Sequence, residues 1–190
     1  MSLPTRPLGT SDLEITTVGF GSWAAGGGGW SFGWGPQDDS LSIAAIHRAV
    51  DLGVSWIDTA AIYGLGHSEE VVGRAVRALP AAARPLIFTK CGLEWDAADP
   101  MRAAERVFTP HTVRLGIEDS LRRLGLETVD LYQIHWPDDQ GNPVEEAWAE
   151  MVKLREEGKA RAIGSPTSTP TCSPASSLSA TSTSCSRPSS

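Results

Sequence analysis

The feature that most constrains the fold of this chain is a regular alternation of strand-like and helix-like segments over residues 1–164. The strand-like segments are short and apolar, as strands covered on both faces are, and they occupy residues 18–23, 54–59, 86–90 and 129–135. The helix-like segments carry apolar residues at helical spacing, and they occupy residues 39–52, 68–79, 110–124 and 143–157. A fifth strand-like segment begins at Ala160, and the first one is expected to be a buried run. This alternation predicts parallel strands that are joined by right-handed helical crossovers.

Local signals indicate where several of these elements begin and end. Residues 8–17 are typical of a short hairpin. Thr109 and Pro110 place an N-cap before a proline at the first helical position, and Gly158 is expected to end the last helix. Two architectures fit these elements equally well, an open doubly wound sheet and a (β/α)₈ barrel.

Composition excludes several classes of protein. The 16 basic and 23 acidic residues give a net charge of −7, which argues against a nucleic-acid partner because such proteins present a basic face. The chain lacks a stretch of about 18 apolar residues, so no membrane span is expected, and its first residues lack the apolar core of a secretory signal. Three cysteines are too few for a disulfide framework and lack zinc-ligand spacing. We therefore expect a soluble, cytoplasmic protein without a metal centre.

The composition changes abruptly after Gly164. Residues 165–190 contain 11 Ser, 5 Thr and 4 Pro, and Arg187 is their only charged residue. Such a segment cannot bury enough apolar surface to offset the entropy that its ordering costs. We predict a folded part over residues 1–164 and a disordered tail over residues 165–190.

Four polar residues are expected to lie on one rim of the sheet, because functional side chains lie at the carboxyl ends of the strands in either architecture. Asp58, Lys90 and His135 end the second, third and fourth predicted strands, and Tyr63 follows Asp58 by five residues. Each alone has an ordinary explanation, as a helix cap, a solvated amine, a core imidazole or a packed ring. All four on one rim favour a catalytic set, since such a set is recognised by its mutual geometry.

These four residue types can deliver a proton to a carbonyl oxygen. An unperturbed tyrosine has a pKa near ~10, and we expect the Lys90 ammonium to lower the pKa of Tyr63 by stabilising its phenolate. Asp58 would pair with Lys90, and His135 would donate a hydrogen bond to the carbonyl oxygen. Hydride reduction of a ketone or an aldehyde needs such a donor. The hydride itself must come from a cofactor, because no side chain can supply one.

Two glycine motifs have competing interpretations. Residues 19–24 formally fit a dinucleotide-binding fingerprint, but that motif requires a helix to open within the loop, and glycines follow instead, so we reject it. Residues 26–29, with Gly33 and Gly35, are interpreted either as a mobile loop over the barrel mouth or as plain slack in the chain.

Several histidines and one cysteine could also carry chemistry. His67 precedes two acids, which suggests a metal site, but the favoured alternative is that Ser68 starts a helix whose acidic first turn suits the helix dipole. His47 and His111 are expected to be structural or solvated. Cys91 follows Lys90 and could be an activated thiol, although a buried neutral thiol is the favoured interpretation.

Taken together, these motifs resemble those of the aldo-keto reductase superfamily. The resemblance covers about residues 8–164, and within the family it is strongest to bacterial members described as general stress or sugar-aldehyde reductases. The matching motifs are Leu8–Leu13, Val18–Trp23, Trp56–Ala60 with Tyr63–Gly64, Gly66–Gly73, Phe88–Lys90, Asp130–Asp138 and Gly158–Gly164.

The resemblance implies a (β/α)₈ TIM barrel, of which this chain holds about the first half, strands one to five. It also implies NADP(H), or alternatively NAD(H), lying extended over the barrel mouth, and a small-molecule carbonyl substrate. It says nothing about the oligomeric state.

The resemblance also implies roles for individual residues. Tyr63 would be the general acid in reduction and the base in oxidation, Lys90 would lower its pKa, Asp58 would orient Lys90, and His135 would position the carbonyl group. The cofactor would be lined by Gly21, Ser22, Trp23 and Asp58. The substrate pocket would be walled by Trp30, Trp34 and Trp136, with plain packing as the alternative for each tryptophan.

The family pattern breaks at residue 165. Family members continue there with Val-Ser-Asn-Phe, whose Ser-Asn pair holds the nicotinamide carboxamide, whereas this chain continues with Ser-Pro-Thr-Ser. Common codons for the family residues give Ser-Pro-Thr-Ser when the first base is skipped, so we hypothesise that residues 165–190 are translated out of frame. Two functions stay open as predictions, an NAD(P)H-dependent carbonyl reductase and a non-catalytic remnant or nucleotide-binding subunit of the same family.

Overall fold

The computed structural model describes residues 3–165. Its strands are β1 Thr5–Pro7, β2 Glu14–Thr16, β3 Phe20–Gly21, β4 Trp56–Asp58, β5 Leu86–Cys91, β6 Leu93–Glu94, β7 Glu105–Arg106, β8 Val129–Ile134 and β9 Ala160–Gly164. Its α-helices are α1 Asp39–Asp51, α2 His67–Arg77, α3 Pro110–Leu124 and α4 Val144–Glu156. Short 3-10 helices cover Trp23–Gly26 and Ala81–Ala83. The predicted disordered, out-of-frame tail lies outside the described residues apart from Ser165.

A five-stranded parallel sheet decides between the two predicted architectures. Its spatial order is β3-β4-β5-β8-β9, which is also the order along the chain. A doubly wound sheet reverses its strand order at a switch point, and this sheet has no reversal. The helices pack in succession, α1 against α2, α2 against α3 and α3 against α4, as in the outer ring of a barrel. The fold is therefore the first five strands of a (β/α)₈ barrel, and the doubly wound alternative is wrong.

The amino-terminal hairpin packs against the sheet at the amino ends of its strands. β1 pairs antiparallel with β2. The hairpin is therefore longer than the predicted range 8–17, because its first strand precedes residue 8 and that range contains only the turn and β2. The turn is held by the Leu8 amide, which donates to the Leu13 carbonyl at 2.8 Å. Ile15 of β2 packs against Phe88 and Leu131 of the sheet. Because Thr16 also bonds to Ser55, just before β4, the hairpin covers the amino ends of the strands and leaves their carboxyl ends open.

The run 18–23 is not buried as predicted. β3 is only two residues long, Val18 is 56% exposed, and Trp23 is also exposed. Within residues 3–165, β3 lies at the edge of the sheet and pairs with β4 alone, so apolar residues there have a neighbouring strand on one side only.

The main core lies between the sheet and the helices. It joins Ile57 and Ile87 of the strands to Val72, Ile117 and Met151 of the helices. The predicted start of α3 is confirmed, because the Thr109 hydroxyl accepts the Thr112 amide in a capping box and Pro110 is the first helical residue. The stop at Gly158 is also confirmed, since α4 and its C-cap residue precede this glycine and its φ is +78°. None of the helices in residues 3–165 combines the length and apolarity that crossing a bilayer demands.

Candidate active site

The four residues predicted to share a rim do so in the structure. Asp58 is the last residue of β4, Lys90 lies one residue before the end of β5, and His135 follows β8 directly. Tyr63 lies in the loop between β4 and α2. Because these strands are parallel neighbours, their carboxyl ends bring the four side chains together.

Lys90 is the centre of the cluster. Its ammonium donates hydrogen bonds to Asp58 Oδ2 at 2.7 Å, to the Thr59 carbonyl at 2.8 Å and to the Tyr63 hydroxyl oxygen at 3.2 Å. The side chain is only 10% exposed. An ammonium has three donors, so all of them are used and the nitrogen is held in one position.

Tyr63 and His135 pack edge to face beside a cavity. Their ring centroids are 5.6 Å apart at an interplanar angle of 80°. Both rings line a cavity of about 360 Å³, here named the aromatic cavity. Its other walls are Trp23, Trp30, Phe32, Ile62, Leu93, Ala103, Ala104, Arg106 and Trp136. A small molecule in this cavity can contact the phenol and the imidazole together.

The net shift of the Tyr63 pKa is upward, opposite to the predicted lowering. Burial raises the pKa of the phenol above its usual 10, and the negative charge of Asp58 raises it further. These two effects penalise the phenolate. Tyr63 therefore keeps its proton at neutral pH, which is the form that a proton donor requires.

His135 is neutral at neutral pH. Burial lowers the pKa of His135 from its usual 6.5 to about 4, and the nearby Lys90 charge is the second cause. A neutral imidazole still offers one N–H donor. Burial also lowers the pKa of Lys90, while Asp58 counteracts this effect through its charge and its hydrogen bond.

The low pKa of His135 predicts a specific loss of stability in acid. The unfolded chain takes up a proton near pH 6.5 that the folded chain accepts only near pH 4. We therefore expect the free energy of unfolding to decrease as the pH falls through this window. In His135→Gln this decrease should be smaller. Urea unfolding of both proteins from pH 7 to pH 4 measures it, and an equal decrease in the two proteins would contradict the pKa assignment.

A backbone contact fixes the position of Tyr63. Gly64 has φ +63°, and a Cβ there would lie 2.2 Å from the Gly26 carbonyl oxygen. A Cβ on Gly26 would lie 2.6 Å from the Gly64 nitrogen. Only two glycines permit this approach, which packs the 3-10 helix Trp23–Gly26 against the tyrosine. The Trp23 and Tyr63 rings stack with centroids 5.2 Å apart.

The glycine-rich loop predicted over the site has a defined structure. It folds around Trp30, whose indole nitrogen donates to the Gly27 carbonyl at 3.1 Å. Gly33 packs so closely on this indole that a Cβ would lie 3.0 Å from it. The loop therefore forms a wall of the aromatic cavity.

Ser22 is placed differently from the other predicted cofactor residues. Its side chain is buried, and its hydroxyl donates to the Asp58 carbonyl at 3.1 Å. The Ser68 hydroxyl donates to Ser22, with 2.8 Å from Ser68 Oγ to both Ser22 Oγ and the Ser22 carbonyl oxygen. Ser68 Oγ also lies 3.2 Å from Thr59 Oγ1. The Ser22 side chain thus links β3 to α2. Sequence reasoning missed the part played by Ser68 and Thr59, because ordinary polar residues at a helix start and a strand end carry no distinguishing signal.

Gly21 and Asp58 border an open cleft on the inner face of the sheet. They pair in register and, with Gln133, line one end of a cavity of about 480 Å³ whose other end is lined by Leu8 and Ile15 of the hairpin. Space is open at the Cβ position of Gly21, and the Gln133 amide donates to Asp58 Oδ1 at 3.5 Å. Gln133 was missed in the sequence, although it lies two residues before His135 and so shares its side of the strand.

The three predicted pocket tryptophans have different environments. Trp30 is buried in the wall of the aromatic cavity, and Trp136 lines the cavity while staying half exposed. Trp34 is 79% exposed and stacks on the outer side of Trp23, with centroids 6.2 Å apart. It does not line this cavity, because the glycine-rich loop turns it outward.

The remaining candidates have structural explanations. His67 opens α2 and bonds Asp39 Oδ1 at 2.8 Å. Residues 3–165 contain no group of three or more side chains arranged to hold a metal ion. His47 bonds the Ala75 carbonyl at 2.9 Å. Burial raises the pKa of the Cys91 thiol to about 12, so the favoured neutral thiol is confirmed.

Comparison with known proteins identifies the family of the chain that carries this rim. The sequence model of the aldo/keto reductase family matches residues 17–170. The chain belongs to the aldo/keto reductase family.

Individual relatives agree with this assignment. Aldo-keto reductase YhdN of Bacillus subtilis is 39% identical over 83% of this chain and 45% of its own length. The NADH-specific methylglyoxal reductase of Escherichia coli is 36% identical over 83% of this chain and 50% of its own length. The chain thus spans about half the length of the curated relatives it matches.

A solved structure is also similar. The glycerol dehydrogenase AKR11B4 from Gluconobacter oxydans superposes with a TM-score of 0.75 at 44% identity, over 85% of this chain and 47% of that chain. The holo form of aldo-keto reductase AKR11C1 from Bacillus halodurans gives a TM-score of 0.74 at 26% identity, over 86% of this chain and 50% of that chain.

Proposed function

We propose that this chain takes part in the NAD(P)H-dependent reduction of small aldehydes or ketones to alcohols. The observation that carries the proposal is the Lys90 ammonium, which bonds Asp58 and Tyr63 at once beside a cavity that His135 also lines. Carbonyl reduction needs a proton donor aimed at an oxygen that gains negative charge, and this cluster supplies one.

Tyr63 is the proposed proton donor. Lys90 donates a hydrogen bond to the phenol oxygen, so the phenol's own hydrogen is directed elsewhere, and the aromatic cavity is the open side. As the proton leaves, the fixed ammonium stabilises the phenolate that forms. Asp58 holds Lys90 in place through the 2.7 Å contact. The reverse reaction uses the same phenolate as the base.

His135 is the proposed orienting group. Its neutral imidazole can donate one N–H bond to the carbonyl oxygen, and its ring stands edge-on to Tyr63. Two donors that converge on one oxygen fix the direction of the carbonyl bond, and positioning of this kind lowers the barrier to reaction.

The proposed cofactor is NADP(H), with NAD(H) as the alternative, and it supplies the hydride when bound. Gly21, Asp58 and Gln133 line one end of a cleft that continues to the hairpin, and the open Cβ position of Gly21 leaves room for a flat ring at that end. Gly21 and Asp58 would border that ring and the Gln133 amide could bond its carboxamide, whereas Trp23 lines the aromatic cavity and not this cleft. The buried Ser22 side chain would act only by fixing this edge.

Relatives support the substrate class. One is a methylglyoxal reductase and another is a glycerol dehydrogenase by name, so we propose a small carbonyl compound or the matching alcohol for this chain. We place the reaction in the cytoplasm, because the chain has too few cysteines for a disulfide framework.

Isotope transfer tests the proposal. The full chain is incubated with 4-nitrobenzaldehyde and NADPH deuterated at the transferring position. The proposal expects NADPH oxidation together with 4-nitrobenzyl alcohol that carries one deuterium on its carbinol carbon. NADPH binding without alcohol formation would overturn the reductase proposal and favour a nucleotide-binding subunit. NADH in place of NADPH determines the cofactor preference.

A further inference from the structure

The aromatic cavity contains one strong charge. Among its lining residues, all of which lie in the described part of the chain, Arg106 alone is permanently charged. Its other ionisable members are Tyr63 and His135, which are both neutral at neutral pH. The cavity is therefore apolar and aromatic with a positive group in its wall.

The arginine is positioned but only weakly paired. Arg106 lies in β7, which pairs with β6 in a small antiparallel ribbon beside the rim. Its guanidinium carbon lies 5.1 Å from the centre of the Trp136 ring. Its nearest acid in the described residues is Asp139, with 3.9 Å between Nε and Oδ2, and both side chains are about half exposed. Such a pair contributes little, so the N–H groups of the guanidinium can bond an anion instead.

Trp136 connects this charge to the reacting groups. The Trp136 ring stacks on His135 with centroids 6.4 Å apart, and its other neighbour is the Arg106 guanidinium. Trp23, Phe32 and Trp136 also leave much of their surface exposed around the cavity. Clustered exposed aromatic surface marks a ligand-binding groove, and a ligand that spans this cavity can contact both His135 and Arg106, because both residues line it.

We propose that Arg106 and Trp136 form a subsite for an anionic group of the substrate. The substrate class is then carbonyl compounds that carry a carboxylate across a short flat spacer from the carbonyl, such as aromatic aldehyde acids. Arg106 binds the carboxylate with its planar fork, and the Trp136 ring holds the guanidinium in position. This inference rests on the proposed reductase function.

A matched pair of substrates tests the subsite. The quantity measured is the ratio of kcat/KM for 4-formylbenzoate to kcat/KM for its neutral methyl ester, here called the charge ratio. Charge-assisted hydrogen bonds contribute about 1.5–3 kcal/mol, so Arg106→Met should lower this ratio by about 10-fold or more. Arg106→Lys should give an intermediate ratio, because it keeps the charge and loses the fork. Arg102→Met is the control, since Arg102 bonds Glu105 outside the cavity, and its ratio should equal that of the parent chain.

The outcomes separate this inference from the proposed function. An unchanged ratio in Arg106→Met, with the ester still reduced, would overturn the subsite and leave the reductase intact. If neither aldehyde is reduced, the reductase proposal fails, and the subsite is then tested by measuring the binding of two probes that need no reaction. Quenching of tryptophan fluorescence by terephthalate and by neutral terephthalamide then provides the readout. Tighter binding of terephthalate that is lost in Arg106→Met supports the subsite, and equal binding of the two probes contradicts it.

Discussion

Replacing Tyr63 by phenylalanine is expected to lower kcat/KM for 4-nitrobenzaldehyde by about 100- to 10,000-fold, the range that a positioned proton donor contributes. The substitution removes one oxygen atom and keeps the ring that stacks on Trp23. It also removes the acceptor that Lys90 holds at 3.2 Å. Because Asp58 and the Thr59 carbonyl keep Lys90 bonded, we expect the variant to fold and to bind NADPH normally.

The chain offers a matched control for this experiment. Tyr132 is the only other tyrosine, and its hydroxyl donates to the Val113 carbonyl at 2.9 Å, deep in the main core. Tyr132→Phe removes the same atom away from the rim. It should retain the parent kcat/KM and lose about 1 kcal/mol of stability. Equal rates for Tyr63→Phe and the parent chain would rule out the proposed proton donor.

Arg123→Met is expected to cause the largest loss of stability. Glu69 of α2 is fully buried, and its carboxylate accepts bonds from Arg123 Nε at 2.6 Å and from Thr89 Oγ1 at 2.5 Å. The Arg123 side chain is 13% exposed. Removing it leaves a buried carboxylate without its cation, which costs about 3–5 kcal/mol. Thermal unfolding should show a decrease in Tm on the order of 10 °C.

Two further variants isolate the buried charge as the cause. Arg122 is the neighbouring arginine on α3, and it pairs with Asp119 at the surface with a side chain that is 73% exposed. Arg122→Met should change the stability by less than about 1 kcal/mol. The double variant Glu69→Gln with Arg123→Met keeps an acceptor for Thr89 and removes the charge, so it should regain much of the loss. A double variant no more stable than Arg123→Met would contradict this explanation.

Much of the fold could be predicted because its signals are local. Thr109 and Pro110 mark the start of α3 wherever they occur, since an N-cap and a fixed φ act within one turn. Asp58, Lys90 and His135 could be grouped because they end consecutive parallel strands, and that placement requires only the strand order. The choice between barrel and open sheet required the resemblance, because both architectures share the same alternation.

The errors arise where three-dimensional environment decides. The direction of the Tyr63 pKa shift depends on how far the phenol is buried and on its nearness to Asp58, neither of which spacing reveals. The resemblance predicts Trp34 in the pocket wall, but the glycine backbone of its loop turns it outward. Arg106 was overlooked because β6 and β7 are two residues long each, too short for any periodic pattern to predict them.

The contact between Gly26 and Gly64 has a consequence for how a ligand enters. These backbones touch without side chains between them, so the loop that encloses Trp30 and the peptide that bears the phenol are mechanically coupled. We expect a ligand that displaces this loop to shift Tyr63 as well. Entry of the ligand would then also determine how the Tyr63 phenol is aligned. Substitutions in the loop should consequently alter turnover as well as affinity, even at positions that touch no reacting atom.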